Sequence, residues 1–181
     1  SFRQGKAGNR LLAIVIGSES GPGKEYRLPT DTDLAAVEES QKLLTTILNT
    51  TTANGHSRFP QELLATDEPR RMNVVLFGIR EWHQLFNERQ LVAIDCFRRH
   101  TLDAIAKACH TEDNEYFLAL QGMLACVLDR FIDKCSSLCL WNHLGEKLEH
   151  TFGRQALPMV WDYAEVNPFS DATGNWLTHV E

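Results

Sequence analysis

The chain predicts a mainly α protein: a helical domain with a small N-terminal β-hairpin. Three observations carry this. Apolar residues recur at helical spacing over three long stretches, residues 34–48, 91–106 and 117–132. Two of these stretches open on a capping pattern, Thr30 with Asp33 and Asn87 with Gln90. Strand-like sequence collects in one place, before residue 29, around a glycine-rich turn.

The elements follow in order. Residues 11–16 (LLAIVI) are aliphatic and rich in β-branched side chains, and residues 17–24 (GSESGPGK) are a turn. Residues 25–28 alternate polar and apolar until Pro29 stops them, which completes a hairpin. Leu34, Val37, Leu43, Leu44, Ile47 and Leu48 then share one face of a helix running to about Asn49. Residues 50–60 are polar and contain Asn-Gly, a loop signal. A short helical turn is expected at 60–64 and a charged connector at 68–71. Residues 74–77 read as a strand or as the approach to Gly78, and 81–86 as a short helix.

Asn87 caps the second long helix, with Leu91, Ile94, Phe97, Leu102, Ile105 and Ala106 turned inward and an end near Cys109-His110. Residues 111–115 open the third, with acids in the first turn as the macrodipole prefers. Phe117, Leu118, Leu120, Leu124, Val127, Leu128, Phe131 and Ile132 give it a broad apolar stripe. That stripe predicts the central core helix, running on to about Trp141. Residues 145–152 read as a short amphipathic piece. From Gly153 the chain is irregular and is broken by Pro158 and Pro168. One domain of 181 residues is expected: hairpin region 1–29, helical core 30–152, irregular C-terminal segment 153–181.

Net charge is −6, so the chain as a whole is no polycation. The charge is uneven. Residues 1–100 hold 13 Lys/Arg against 12 Asp/Glu, and residues 101–181 hold 5 against 12. Any basic patch must use Arg58, Arg70, Arg71, Arg80, Arg89, Arg98 and Arg99, unless these are scattered solvated arginines. Five cysteines, an odd number with no tight framework, read as free thiols of a reducing cytoplasm. No signal peptide and no membrane-crossing apolar run is recognisable. A start at Ser1 reads as a piece excised from a longer protein, with a processed start or a tag remnant as the alternatives.

Several motifs invite chemistry and fall short of it. Gly23-Lys24 has Ser18 and Glu25 where a phosphate loop needs glycine and a hydroxyl, and an acid there repels phosphate. Cys135, Cys139 and His143 fall at i, i+4 and i+8 of the expected helix. They lack the paired knuckles of a zinc site, so buried cysteine is the expected role and no metal ligand is assigned. Cys109-His110 has no evident dyad geometry, because neighbours on a helix diverge by about 100°. Asn167-Pro168-Phe169 approaches the Asp/Asn-Pro-Pro-Tyr/Phe loop that holds a flipped adenine, but it lacks the second proline. A turn after a helix end is the reading preferred here. No catalytic residue is assigned.

Residues 154–169 (RQALPMVWDYAEVNPF) fit neither a helix nor a strand period. This run, with Arg154, Gln155, Pro158, Trp161, Asp162, Asn167, Pro168 and Phe169, resembles a segment of the large bacterial and archaeal proteins with a DUF1156 domain. The resemblance continues in residues 136–141 (SSLCLW), 82–91 (WHQLFNERQL) and 10–33, and so spans nearly the whole chain. Those proteins are regarded as zinc-ribbon-containing, adenine-specific DNA methyltransferases of restriction or phage-defence systems. The resemblance implies a parent enzyme using S-adenosylmethionine, with its glycine loop upstream of Ser1. Its Asp-Pro-Pro-Tyr loop would lie beyond Glu181 and its zinc ribbon outside this stretch. No cofactor site is expected in this segment.

The implied role is a helical insertion that shapes the DNA cleft or reads the target, with the rest of the methyltransferase and duplex DNA as partners. Arg70, Arg71, Arg80, Arg89, Arg98, Arg99 and Arg154 are the candidate DNA contacts. The competing reading is a structural or docking module without DNA contact, in which Arg154 pairs with Asp162 or Glu165. Trp161 is then buried, on one side of a helix opened by Pro158.

Overall fold

The computed structural model describes residues 8–50, 52, 55–68, 70–108 and 114–180. It is mainly helical, with the expected hairpin in front. Strands β1 (Ile14–Gly17) and β2 (Lys24–Arg27) pair antiparallel, Ile14 against Arg27 and Gly17 against Lys24. The Ser18 N–H closes the turn on the Gly23 carbonyl at 3.1 Å. The first strand begins at Ile14, three residues later than the aliphatic run.

Helix α1 (Asp31–Leu48) starts on a full capping box: Thr30 and Asp33 exchange side-chain and backbone hydrogen bonds. Arg27, the last residue of β2, holds the Asp33 carboxylate through both oxygens at 2.6 and 3.1 Å. That pair, and then the Thr30 hydrogen bonds, keep the Asp33 carboxyl well below the usual range. Leu44 and Ile47 are buried, whereas Leu34, Leu43 and Leu48 of the expected face are exposed.

Residues 60–64 form no helical turn. Leu63 bridges Glu81 antiparallel, and the Leu64 N–H reaches the Arg80 carbonyl at 2.7 Å. Residues Asn73–Phe77 are a 3₁₀ helix and not a strand. Val74 and Val75 are consecutive and both buried, which a half-exposed strand cannot arrange. Gly78, at φ 97°, ends this turn in the left-handed region. A second 3₁₀ turn, Trp82–Leu85, supplies the short helix expected there.

Helix α2 (Glu88–Ala108) opens on the Asn87–Gln90 box, with bonds of 2.9 and 3.0 Å. Leu91, Ile94 and Ile105 are buried, but Leu102 and Ala106 are exposed. The expected end at Cys109-His110 lies outside the described residues.

Helix α3 (Asn114–Asp133) departs most from expectation. It ends at Asp133 and does not reach Trp141. The Ser137 N–H and hydroxyl both turn to the distant Leu85 carbonyl, and the Ser136 hydroxyl takes the Leu138 N–H, which ends the helix. Nor is α3 the central core helix. Of its apolar stripe only Phe131 is fully buried, and Leu118 is 58% exposed. Beyond it, β3 (Trp141–Asn142) and β4 (Lys147–Leu148) form a tight hairpin where a helical piece was expected. Asn142 holds its turn by accepting the Leu144 and Gly145 N–H groups. The two hairpins meet at Trp141, whose Nε1–H donates to the Tyr26 hydroxyl at 3.0 Å.

Helices α1 and α2 pack together, as do α2 and α3 and then α3 and the short α4 (Leu177–Val180). The core falls into three clusters. One joins α1 to α2 through Leu44, Ile47, Phe59 and Leu91. A second joins α2, α3 and the second hairpin through Ile94, Phe131, Cys135, Cys139, Leu148 and Val166. The third, around Leu64, Val74, Leu85, Leu138, Leu157 and Val160, takes no buried residue from a long helix. Phe86 packs against all three. Among the described residues no helix is long and apolar enough to cross a membrane.

Candidate nucleic-acid interface

Asp95 organises the main charged site. It lies on α2 with its side chain fully buried. Arg98 and Arg99, at i+3 and i+4, fold back onto it along the same helix face. Arg58 reaches it from the loop after α1. Arg58 Nη1 and Arg99 Nε both meet Oδ2 at 3.0 Å, and Arg98 Nη2 meets Oδ1 at 3.0 Å. Three guanidiniums share one carboxylate, so the group keeps a local surplus of positive charge. The arginine side chains remain 21%, 31% and 48% exposed for Arg58, Arg98 and Arg99.

The Nε–H groups of Arg58 and Arg98 are buried without a hydrogen-bond partner. Asp95 takes only the Nη groups of these two arginines, so the Nε–H donors are left at a desolvation cost. Arg58 also lines an open concavity of about 500 Å³ formed by residues 56–62. A fixed, part-exposed, net-positive cluster beside a concavity is suited to an anionic ligand such as a backbone phosphate.

The other candidate arginines do not join it. Arg89 is committed to the interior: its Nε and Nη2 clasp both oxygens of Glu165 at 2.8 and 3.0 Å. Asn87 Nδ2 donates to the same carboxylate at 2.5 Å and to the Tyr163 hydroxyl at 2.8 Å. Burial lowers the Arg89 pKa, but the Glu165 hydrogen bonds and charge outweigh it, so the guanidinium stays charged more firmly than usual. Burial pushes the Tyr163 hydroxyl up, against the Asn87 hydrogen bond. Arg71 pairs with Glu68 at 3.0 Å on the surface. Arg70, Arg80 and Arg154 are exposed and enter no ion pair among the described residues.

Residues 154–169 form an extended strap. The Leu157 N–H donates to the Arg71 carbonyl at 2.6 Å, and the Leu157 carbonyl accepts from Val74. Further on, the Ala164 N–H reaches the Cys139 carbonyl at 2.8 Å. Leu157, Val160 and Val166 are buried, and Glu165 clamps the start of α2. Glu165 therefore pairs with Arg89 and not with Arg154. Pro158 opens no helix. Trp161 is 58% exposed, contrary to the buried role, and meets Phe77 edge-on at 5.2 Å. Gln155, Asp162 and Asn167 are exposed.

Asn167-Pro168-Phe169 is a turn, as expected, though extended chain and not a helix precedes it. Asn167 Oδ1 accepts the Phe169 N–H at 3.0 Å, so its amide oxygen serves the turn. Phe169 is 81% exposed, and its ring lies 5.5 Å from that of Phe97.

Cys135 and Cys139 do not share a helix face with His143. Both thiols are buried in the turn after α3, and burial raises the Cys135 pKa well above its ordinary value. His143 is exposed in the turn of the second hairpin. Among the described residues no group of three or more His, Cys, Asp or Glu is arranged to hold a metal. Cys109-His110 lies outside them. The Gly23-Lys24 stretch is a hairpin turn in which the Ser18 hydroxyl donates to Glu25 at 2.6 Å, and this carboxylate-lined turn does not fit a cofactor loop.

Sequence reasoning missed Asp95 as the organiser, although the Asp-x-x-Arg-Arg spacing was legible. Arg58 was named only as material for a basic patch, and nothing in the sequence linked it to Asp95, 37 positions away. The chain matches no family model, no curated protein and no solved structure.

Proposed function

We propose that this chain is a helical insertion of an S-adenosylmethionine-dependent DNA adenine-N6 methyltransferase of the DUF1156 kind. It grips the duplex backbone and shapes the cleft, and leaves the chemistry to the parent enzyme. The resemblance of residues 154–169, 136–141, 82–91 and 10–33 supports the parent. The Arg58–Asp95–Arg98–Arg99 cluster supports the role, because it holds surplus positive charge in a fixed, part-exposed geometry. The described thiols are free, which agrees with a reducing cytoplasm.

A second reading has its own observation. Arg89 and Arg71 are spent on Glu165 and Glu68, while α3 leaves Tyr116, Leu118 and Met123 exposed. These features support a bracing module that docks on the rest of the methyltransferase.

Duplex binding by the purified chain at a series of salt concentrations separates the two. The first reading expects affinity that falls steeply with salt. It also expects a slope reduced by about one for each phosphate contact removed in Arg98→Gln and Arg99→Gln. Absence of binding at low salt transfers the chain to the bracing role, and binding unchanged in the double variant removes the arginine cluster from the contact.

A further inference from the structure

A second concavity, of about 240 Å³, lies between the C-terminal end of α3 and the segment around residues 173–179. It shares no residue with the arginine cluster or the strap clamp. Its size is below the roughly 300–1,000 Å³ of clefts that enclose drug-sized ligands.

The charge balance of its walls is one-sided. Arg130 and Lys134 line it, and neither enters an ion pair among the described residues. The acid that lines it, Asp133, is spent: Oδ1 accepts the Phe152 N–H at 2.8 Å and Oδ2 is bonded to His150 Nδ1. The carbonyls that end α3 are spent as well. Those of Phe131, Ile132 and Asp133 accept from Lys134, Cys135 and Thr151. The Thr178 hydroxyl donates to the Asn175 carbonyl, whereas Thr173 makes no hydrogen bond among the described residues.

His179 completes the wall. It is 7% exposed, and neither ring nitrogen makes a hydrogen bond of good geometry, although the Gly174 backbone lies near enough to bias the ring. Burial favours its neutral form most, the Gly174 backbone opposes this next, and the Arg130 and Lys134 charges favour the neutral form by less, against the Asp133 charge. Gly174 sits at φ 95°, and a Cβ there would fall 3.1 Å from Lys134 Cδ. A glycine is therefore what lets the Lys134 stem cross at this point.

We propose that this pocket binds a phosphate group, held by the Arg130 and Lys134 cations and the Thr173 hydroxyl, with the His179 imidazole against it. Cations in surplus and a buried imidazole N–H without a partner are both satisfied by one small anion, and the acceptors around them are already occupied. The group is either a free phosphate or one on a nucleic-acid backbone.

The test titrates the whole chain with inorganic phosphate at constant ionic strength, with chloride as the balancing anion, and follows the histidine ring resonances. The expected result is a saturable shift at His179 and a raised titration midpoint for that ring. Lys134→Gln should bind about tenfold more weakly, the loss of one charge-assisted contact. Arg130→Gln, on an exposed position of α3, repeats the measurement should Lys134→Gln fail to fold. A His179 shift that only follows ionic strength, or that is unchanged in the folded variant, overturns the site. Short duplex DNA added to the phosphate-saturated protein distinguishes the sources. Displacement supports a backbone phosphate, and retention supports a free one. Failure here leaves the arginine-cluster reading standing, because no residue is shared.

Discussion

Replacing Asp95 by asparagine tests the arginine cluster most directly. The change keeps the side-chain shape and removes the one negative charge among three guanidiniums, each 3.0 Å from it. Removing one partner of a fully buried pair costs about 3–5 kcal/mol, because the remaining charge is left uncompensated. Asp95 is wholly buried, but its partners are one-fifth to one-half exposed and can turn outward into water. That freedom lowers the expected cost to about 2–4 kcal/mol. For a chain of this size each kcal/mol moves the thermal midpoint by about 2–4 °C, so a fall of roughly 4–16 °C is expected.

Chemical denaturation of Asp95→Asn against the parent chain reads this as a lower midpoint with an unchanged slope. Adding Arg58→Met should recover part of the loss, since it removes one of the repelling cations. Arg99→Met alone, at the most exposed position, should cost about 1 kcal/mol or less. An Asp95→Asn variant within about 0.5 kcal/mol of the parent would refute the idea that the carboxylate holds the three arginines together. Duplex binding by the same variant at low salt should not weaken, because all the cations remain.

Two further outcomes follow from the strap and from His179. Glu165→Ala frees the strap from the start of α2, leaves Arg89 without its acceptor and Asn87 with only the Tyr163 hydroxyl, at a cost of about 2–4 kcal/mol. Hydrogen exchange should then rise at residues 157–166 before it rises in α1, and equal protection in both proteins would count against the clamp. The His179 ring has a pKa lowered from 6.5, chiefly by burial, so the unfolded chain takes up a proton first. Its contribution is therefore present above about pH 6.5 and is lost as pH falls through the folded value. The thermal midpoint should drop on acidification, by less in His179→Phe than in the parent, and identical pH profiles would rule this out.

How much of this was legible depends on the distance over which each interaction closes. Thr30 with Asp33 and Asn87 with Gln90 are complete within one helical turn, so residue type and spacing alone place the starts of α1 and α2. The Gly-Pro-Gly turn and the irregular run after Gly153 were readable for the same reason. The end of α3 was not. Its apolar stripe carries on, but Ser137 finds a better acceptor in the Leu85 carbonyl, 52 positions earlier, and the helix stops. Periodicity also overstated burial. It marks which side chains share a face, and whether anything covers that face is decided elsewhere, as the exposed Leu102 and Leu118 record.

The sequence by itself determined the mainly helical class, the leading hairpin, two caps and the supply of arginines in the first half. Tertiary structure decided what those arginines do. Asp95 could be seen to face Arg98 and Arg99 on one helix, but only the packing of α1 on α2 delivers Arg58 to the same carboxylate. Only the path of the strap gives Glu165 to Arg89 in place of the nearer Arg154. A charge chooses its partner by proximity in a low-dielectric setting, and proximity between distant residues is set by how the hydrophobic clusters close.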